Sequence, residues 1–455
     1  MNERRILFWS VTVALGGFLF GFDTAVISGA EQSIQTVWQL DVFQHGLTVS
    51  IALIGTVLGA LFGGIPSDRF GRKNTLFWIG VLYLISALGS ALATDWYSFL
   101  FFRFIGGLGV GASSVAAPMY ISEIAPAKQR GRMVAMFQFN VVLGIVIAYF
   151  SNYLLQNSGP NAWRWMLGIE GLPAALFVAL VVLVPESPRW LIVKKGALEK
   201  ARAVLMLINP ATADQELKTI SEASLQEQRS PSAARLFSKQ HRFPVMLAVL
   251  FAIFNQVSGI NAIIYYAPRI FEMTGLGKDA ALLSTTGVGV INLIFTLIGL
   301  SLIDKIGRRI LMIVGSMGLI LTLGLVSWAF YTAQFGSLMV PLCLFAYIAF
   351  FAFSQGAVIW VFISEIFPNS VRASGQALGS FTHWFMAAVI AFTFPYITST
   401  LGGGTTFLIF TIMMVLQLLF VWRLMPETKG VSLEEIGQQT ESKESGDLIK
   451  ATKVY

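Results

Sequence analysis

The sequence predicts an all-α membrane protein whose twelve transmembrane helices form two pseudo-symmetric bundles of six, with short cytoplasmic helices between them. Composition is the first observation behind this prediction. Of 455 residues, 55% are hydrophobic and 12% are charged, whereas soluble domains carry roughly 25% charged residues. The mean hydropathy is +0.71, so a soluble core could not hide this much apolar surface. Two further observations are a series of apolar segments and an internal repeat.

Apolar segments recur along the whole chain. Each has about the 20 residues that a helix needs to cross a bilayer, and we therefore expect twelve spans. They lie near residues 8–30, 46–66, 75–93, 98–121, 133–154, 164–184, 244–271, 280–302, 309–332, 338–363, 373–397 and 404–425.

Basic residues mark one side of this predicted bundle, because the opposite loops offer little beyond Arg164, Arg269 and Lys278. Lys and Arg concentrate in cytoplasmic loops, so both termini should be cytoplasmic. The net charge of +7 then reflects topology and indicates no nucleic-acid partner. The basic side contains Arg69, Arg72, Lys73, Lys128, Arg130, Arg132, Lys305, Arg308, Arg309 and Arg372.

One long polar interval, about 186–242, divides the chain. It has helix-like apolar spacing at Ala197–Ile208 and near Leu217–Leu225. The predicted parts are an N-terminal six-span bundle (1–190), a cytoplasmic helical linker (191–242), a C-terminal six-span bundle (243–427) and a cytoplasmic tail (428–455).

Three motifs of the first half recur in the second half in the same order and at nearly one offset, which indicates a duplicated six-span unit. Parallel repeats of this kind build one major transporter architecture, with the substrate site at the repeat interface. Channels can also be duplicated, so the repeat alone does not decide function. The pairs are GGIPSDRFGRK (63–73) with GLSLIDKIGRR (299–309), ISEIAPAKQRG (121–131) with ISEIFPNSVRA (363–373), and PESPR (185–189) with PETKG (426–430).

Further motifs narrow the class of protein. They include GFDTAVISG (21–29), RFIGGLGVG (103–111), PESPRWL (185–191), NQVSGINAIIYY (255–266) and WVFISEIFP (360–368). On these motifs the chain resembles the sugar porter branch of the major facilitator superfamily along its whole length. Within that branch it is similar to bacterial sugar–proton symporters, such as the xylose carrier, and to facilitative glucose transporters. The resemblance implies alternating access, a hexose or pentose as substrate, and a proton as coupling ion.

Asp23 is a single charge in the middle of the first apolar run. A charged residue at the bilayer centre costs at least about 2.5–3.5 kcal/mol, so it should face a partner or a wet cavity. The candidate partners are Arg103, early in the fourth span, and Glu170, which opens the sixth. Residues of these three types stand at the proton-coupling positions of the family's symporters. A static ion pair between spans is the alternative.

Amide side chains in the spans suit a sugar, because each offers two donors and an acceptor oxygen to hydroxyl groups. The resemblance assigns sugar contact to Gln138, Gln256, Asn261, Asn292 and Trp360, and closure of the outer half of the seventh span to Tyr265 and Tyr266. Interhelical hydrogen bonding is the alternative for the amides, and an interfacial aromatic belt for the tyrosines. The candidate set also contains Asn255, His383 and Trp384.

Three departures from the family pattern leave the sugar open. Asn255 replaces the usual Gln, QGAVIW (355–360) lacks the usual proline, and His383 stands where glucose facilitators have Asn and some fructose carriers have His. Gln256 and Asn261 are five positions apart, so we expect the seventh helix to unwind near Ser258–Gly259 to aim both side chains inward.

Charged residues recur at the cytoplasmic span ends of both halves. In the family, these positions form ion pairs that close the cytoplasmic side, and topology determination by Lys and Arg alone would not explain the acids. The gate candidates are Asp68, Arg72, Glu123, Arg130 and Glu186, with Asp304, Arg308, Glu365, Arg372 and Glu427 as their counterparts.

The function predicted from the sequence is monosaccharide–proton symport. The alternatives are a facilitator with the same fold, a sugar sensor that has lost turnover, and an intramembrane enzyme. The enzyme would need a nucleophile–base pair or metal cluster, which three histidines and one cysteine do not assemble. We expect no cofactor and no metal, and a monomer in a bacterial inner membrane.

Overall fold

The computed structural model describes residues 3–126, 130–229, 236–333, 335, 338–368 and 371–429, and within these ranges the chain forms helices and turns without a strand. Eleven helices in this part of the chain are long and apolar enough to cross a membrane. The described residues fall into two compact units. The first lies within Met1–Pro231, Ile264–Ile270 and Gly277–Gly289, and the second within Ser232–Ile263, Phe271–Leu276 and Val290–Tyr455.

Helices α1 to α11 build most of the first unit. Six of these helices have 17–35 residues and five have 6–11 residues. The bounds are α1 Glu3–Val37, α2 Val42–Phe62, α3 Gly64–Phe70, α4 Arg72–Leu92, α5 Trp96–Ile124, α6 Arg130–Leu155, α7 Ala162–Gly168, α8 Gly171–Val181, α9 Pro188–Val193, α10 Leu198–Ile208 and α11 Ala213–Arg229.

Helices α12 to α18 follow. The bounds are α12 Arg242–Val257, α13 Ile260–Met273, α14 Lys278–Ile306, α15 Arg308–Thr332, α16 Met339–Phe351, α17 Ala357–Glu365 and α18 Arg372–Arg423, with a π-helical turn Ala352–Gly356 between α16 and α17.

The last two predicted runs both lie within α18. The twelve predicted runs therefore correspond to eleven helices that are long and apolar enough to cross a membrane. Helix α18 has 52 residues, and at about 1.5 Å per residue it would be more than twice as long as a bilayer core of about 30 Å. Gly402 interrupts it with φ +78° and ψ 163°. The break separates the runs 373–397 and 404–425, so α18 has the length of two crossings.

Close contact between α1 and α6 positions the middle of the first helix. Gly21 lies against the backbone of Val141, and Gly144 lies against the backbone of Phe18, so that a methyl group on either glycine would overlap the other helix. Small residues at such contacts allow helices in membranes to approach closely. This packing holds Asp23, two residues after Gly21, inside the first unit.

The predicted break in the seventh span is confirmed. Helix α12 ends at Val257 and α13 begins at Ile260, with Gly259 between them at φ +88° and ψ 9°. Such a left-handed conformation costs a residue with a Cβ about 1–2 kcal/mol, and a Cβ at Gly259 would also lie 2.6 Å from the ring of Phe410. The Tyr347 hydroxyl donates to the Ser258 carbonyl at 2.9 Å, which satisfies a backbone group that the break releases.

The linker contains helices where the apolar spacing predicted them, α10 over Leu198–Ile208 and α11 over Ala213–Arg229. Their apolar sides pack with α9 in a small cluster around Trp190 and Ala201. Residues 230–235 and 430–455 lie outside the described residues, so the proposed linker and tail boundaries stay predictions.

Candidate functional site

Asp23 and Arg103 form a buried ion pair in the first unit. Arg103 Nη1 donates to Asp23 Oδ1 at 2.5 Å, and Nη2 donates to the Asp23 carbonyl at 3.2 Å. Only 1% of Asp23 and 2% of Arg103 is exposed. Both charges are therefore removed from solvent, and their mutual attraction is what makes burial of either one tolerable.

Glu170 joins this pair as a second buried carboxyl. It lies close enough to Asp23 and Arg103 to interact electrostatically with both. Its Oε1 atom is buried without a hydrogen-bond partner among the described residues, as is Arg103 Nε. Two buried acids therefore lie near one guanidinium, and a single proton on either acid would make the three groups together electrically neutral.

Small and aromatic residues make room for this cluster. A Cβ at Gly106 would lie 3.5 Å from Asp23 Oδ1 and would overlap the side chain of Ser86. Tyr83 is fully buried close to both Asp23 and Glu170. Sequence reasoning missed Tyr83, because a lone tyrosine in an apolar run gives no signal that an acid lies beside it.

Four polar side chains of the second unit bind one another around the break before α13. Gln256 Oε1 accepts a hydrogen bond from Asn261 Nδ2 at 2.5 Å, and Gln256 Nε2 donates to Asn255 Oδ1 at 2.9 Å. The same Nε2 lies 3.2 Å from both ring nitrogens of His383. All four residues are at most 9% exposed. The break brings Gln256 and Asn261 together, as their spacing predicted.

Two tryptophans flank His383. The ring centroid of Trp360 lies 4.9 Å from that of His383, and Trp384 stands edge-on at 4.8 Å. Trp384 and His383 are buried, whereas Trp360 is half-buried. The second unit therefore holds a cluster of amides and aromatic faces, which offers donors, acceptors and flat apolar surface but no ionic group among the residues named here.

The other predicted sugar contacts are described one by one. Gln138 is half-buried on α6 in the first unit. Asn292 is half-buried on α14 and accepts a hydrogen bond from Thr296 at 3.4 Å. Tyr265 and Tyr266 are both buried within the first unit, with Tyr265 near Thr24 and Asp23. They are not placed as an exposed interfacial belt.

A charged clamp joins helix ends of the first unit. Arg72 Nε and Nη2 bind the Glu123 carboxylate at 3.0 and 3.1 Å, and Nη1 binds Asp68 at 3.1 Å. The Glu186 carboxylate accepts hydrogen bonds from the backbone N–H groups of Arg72, Lys73 and Ser187 at 2.8–3.1 Å. Burial raises the pKa of the Glu186 carboxyl, and these hydrogen bonds oppose that effect.

The second unit repeats this clamp bond for bond. Arg308 Nε and Nη2 bind Glu365 at 3.1 and 2.7 Å, and Nη1 lies 3.0 Å from Asp304. Glu427 accepts from the backbone N–H groups of Arg308 and Arg309 at 2.9 and 3.0 Å. The glycine before each arginine has φ near +100° and faces the corresponding glutamate.

Two gate candidates are not brought into these clamps. Arg372 Nε donates to the Phe367 carbonyl at 3.4 Å, and its Nη2 atom is buried with no hydrogen-bond partner in the described part of the chain. Arg130 begins α6, but its side chain lies outside the described residues. The clamp ion pairs of Arg72 with Glu123 and of Arg308 with Glu365 each lie within a single unit.

Sequence reasoning also missed two buried polar groups. Gln355, in the π-helical turn, is 1% exposed, and its carbonyl accepts a hydrogen bond from Asn255 Nδ2 at 3.5 Å. Glu31 is fully buried and pairs with His45 and Arg269. The only sequence signal for Glu31 was an acid near the end of a run, where interfacial water is the simpler explanation. In the described ranges no group of His, Cys, Asp and Glu could hold a metal ion.

Comparison with known proteins agrees with this arrangement. The family described as "Sugar (and other) transporter" matches residues 9–439. The arabinose-proton symporter of Bacillus subtilis (strain 168) is 40% identical over 438 residues, which cover 95% of this chain and 94% of that protein. The D-xylose-proton symporter of Escherichia coli (strain K12) is 37% identical over 474 residues, 96% of each chain.

Solved structures give the same result. The inward open conformation of the xylose transporter XylE from E. coli matches with a TM-score of 0.85 and 36% identity, over 95% of this chain and 99% of that one. The predicted helical fold and the resemblance to the sugar porters are both confirmed. The chain belongs to the sugar (and other) transporter family, a multi-pass membrane family whose members carry solutes rather than convert them.

Proposed function

We propose that this protein is a secondary transporter that carries a monosaccharide, a pentose or a hexose, across the membrane together with a proton. The names of its relatives support the class of substrate, since they are an arabinose-proton and a D-xylose-proton symporter. The observation that carries the proposal is the buried cluster of Asp23, Arg103 and Glu170, which holds two acids beside one base. Intramembrane acids with a partner commonly serve proton pathways.

The amide cluster of the second unit is the proposed sugar site. Gln256, Asn261 and Asn255 now satisfy one another. A sugar hydroxyl both donates and accepts, so it can take over these bonds without leaving an amide unsatisfied. The faces of Trp360 and Trp384 suit the C–H surfaces of the ring. We propose the same role for Gln138 and Asn292, a polar contact for His383, and closure over the sugar for Tyr265 and Tyr266.

Proton coupling follows from the charges of the first unit. With Asp23 ionised, its bond to Arg103 ties α1 to α5. A proton on Asp23 removes that attraction, and the unpaired Glu170 oxygen offers Arg103 another acceptor. The two pairings are two arrangements of one network, and transport would proceed by the exchange between them. Because Arg103 already binds Asp23 with two hydrogen bonds, a static structural role is the competing hypothesis.

The two charged clamps are proposed to act at the cytoplasmic gate. Each ties together the ends of helices that must move as a body, through Arg72 in one unit and Arg308 in the other. We also propose that both termini face the cytoplasm, on the strength of the basic loops. A monomer in a bacterial inner membrane, built from the four parts predicted above, completes the proposal.

Sugar-triggered proton entry into proteoliposomes tests the proposed function. Purified protein is reconstituted, and arabinose, xylose, glucose, galactose and fructose are offered in turn while a pH dye reports on the lumen. Asp23→Asn is the matched variant, since it keeps the shape of the side chain and removes its charge. Symport predicts proton entry with at least one sugar, and loss of that entry in Asp23→Asn while exchange of labelled sugar persists.

Two results would change the assignment. Sugar exchange without proton movement in either protein would make this a facilitator, and Asp23 a structural partner of Arg103. Binding of a sugar in calorimetry without any exchange would favour a sensor.

A further inference from the structure

A second buried charge cluster lies in the first unit, away from Asp23. Arg269 donates two hydrogen bonds to the Glu31 carboxylate, from Nε to Oε1 at 3.0 Å and from Nη2 to Oε2 at 2.8 Å. Its Nη2 also donates to Gln35 Oε1 at 2.7 Å. His45 Nε2 donates to Glu31 Oε2 at 2.6 Å. Three helices, α1, α2 and α13, thus meet at a single carboxylate.

The burial of this cluster is unusual for a charged group near a helix end. Glu31 and His45 are fully buried, and Arg269 is 30% exposed along its side chain. The edge of the Tyr266 ring stands against His45, with centroids 5.8 Å apart. Glu31, Arg269 and Tyr266 are the charged and titratable groups that face His45 from α1 and α13. A carboxylate held by a two-pronged guanidinium and an imidazole is a strong contact that depends on geometry.

The position of Arg269 on α13 indicates what this contact holds. Residues Ile264–Ile270 belong to the first unit, although the chain on both sides of them belongs to the second. Two backbone interruptions precede Arg269, at Gly259 (φ +88°) and at Tyr266 (φ −120°, ψ 17°). A helix that is broken twice can swing without unfolding, because a few residues absorb the change in φ and ψ. Arg269 fastens the segment beyond both breaks.

We propose that Glu31, Arg269 and His45 form an outer latch, in which the carboxylate on α1 holds the far part of α13 closed and His45 positions that carboxylate. The latch opens when the segment leaves the first unit, which breaks both Arg269 bonds together. This inference rests on the proposed transport cycle, since it says which contact holds the part of α13 that moves in that cycle. The Glu31 cluster and the Asp23 cluster consist of different residues, and the latch has no role in binding the proton.

Distance measurement between spin labels tests the latch directly. Labels are placed at Val37→Cys on α1 and Met273→Cys on α13, both exposed in the structure, in a Cys343→Ser background. Double electron–electron resonance then gives the distance distribution without sugar or a proton gradient. Glu31→Gln should raise the ratio of the long-distance population to the short-distance population by about tenfold or more. The reason is that it leaves Arg269 without its charged partner. Glu272→Gln, an acid removed from the same helix outside the cluster, is the control and should leave the distribution unchanged.

His45 has its own test, because a positioning role predicts rescue by a similar donor. His45→Ala should lengthen the distances, and His45→Gln, which offers an N–H in nearly the same place, should restore them. If Glu31→Gln does not fold, Arg269→Lys replaces it, since Lys keeps the charge but loses the two-pronged grip. An unchanged distribution in Glu31→Gln, or in Arg269→Lys, overturns the latch. Failure of sugar-driven proton entry in the unmodified protein would refute symport alone, since the distances are measured without transport.

Discussion

Truncation of Gln256 to alanine should weaken sugar binding more than any other single change in the amide cluster. Its side chain is the hub of that cluster, because it accepts a bond from Asn261 and donates to Asn255 and toward His383. Alanine removes both donors and the acceptor at once. The partners would then lose their arrangement as well as one contact with the sugar.

The size of the effect follows from the bonds that Gln256 can offer. A neutral hydrogen bond contributes a net free energy of about 0.5–1.5 kcal/mol, so two bonds to sugar hydroxyls are together about 1–3 kcal/mol. Since each 1.4 kcal/mol is a factor of ten in affinity, the Kd should rise by about 5- to 150-fold. The lower limit applies where water replaces the missing amide group.

Isothermal titration calorimetry on purified protein measures this change, with the sugar that gives proton entry in proteoliposomes. Gln417→Ala is the matched control, because Gln417 is a fully buried amide of the same unit that donates to Ser316 at 2.8 Å, outside the cluster. It should lower the unfolding temperature and leave the Kd near the unmodified value. Equal affinity of Gln256→Ala and the unmodified protein, or an equal loss in Gln417→Ala, would refute the assignment of the sugar site.

Two more predictions concern the broken helix and the clamps. Gly259→Ala should lower the unfolding temperature more than Gly275→Ala. Both glycines have φ near +90°, but only the Cβ at position 259 would overlap another side chain. Equal shifts in a thermal melt would show that this overlap does not contribute to stability. Glu365→Arg should open the proposed cytoplasmic gate, since it places a second cation beside Arg308, which now binds a carboxylate. A Ser364→Cys substitution should then react faster with a charged maleimide. An unchanged reaction rate would count against a gating role for Glu365.

Much of the fold could be predicted from the sequence because the bilayer restricts the choice. Apolar runs of fixed length define the spans, and the two DxxGR motifs with their later glutamates define the repeat. Arg103 could be named as a partner of Asp23, because an isolated charge in an apolar run must find an opposite one. The bond between Arg103 and Asp23 in the structure therefore follows from the free-energy cost of burying an unpaired charge.

What could not be predicted depends on helix rotation and on close packing. The bond of Glu31 to Arg269 joins residues 238 positions apart, near the ends of two runs where charges can also sit in water. Arg372 was grouped with Glu365 by repeat symmetry, yet it donates to a backbone carbonyl instead.

The break between α12 and α13 has an electrical consequence. A helix carries about half a positive charge at its N-terminus and half a negative charge at its C-terminus. Because α12 ends at Val257 and α13 begins at Ile260, one pole of each kind stands within three residues, and their fields largely cancel a short distance away. The two helix ends together therefore contribute local dipoles but almost no net charge at the break. The break therefore suits an uncharged, hydroxyl-rich solute and does not favour an ionic solute.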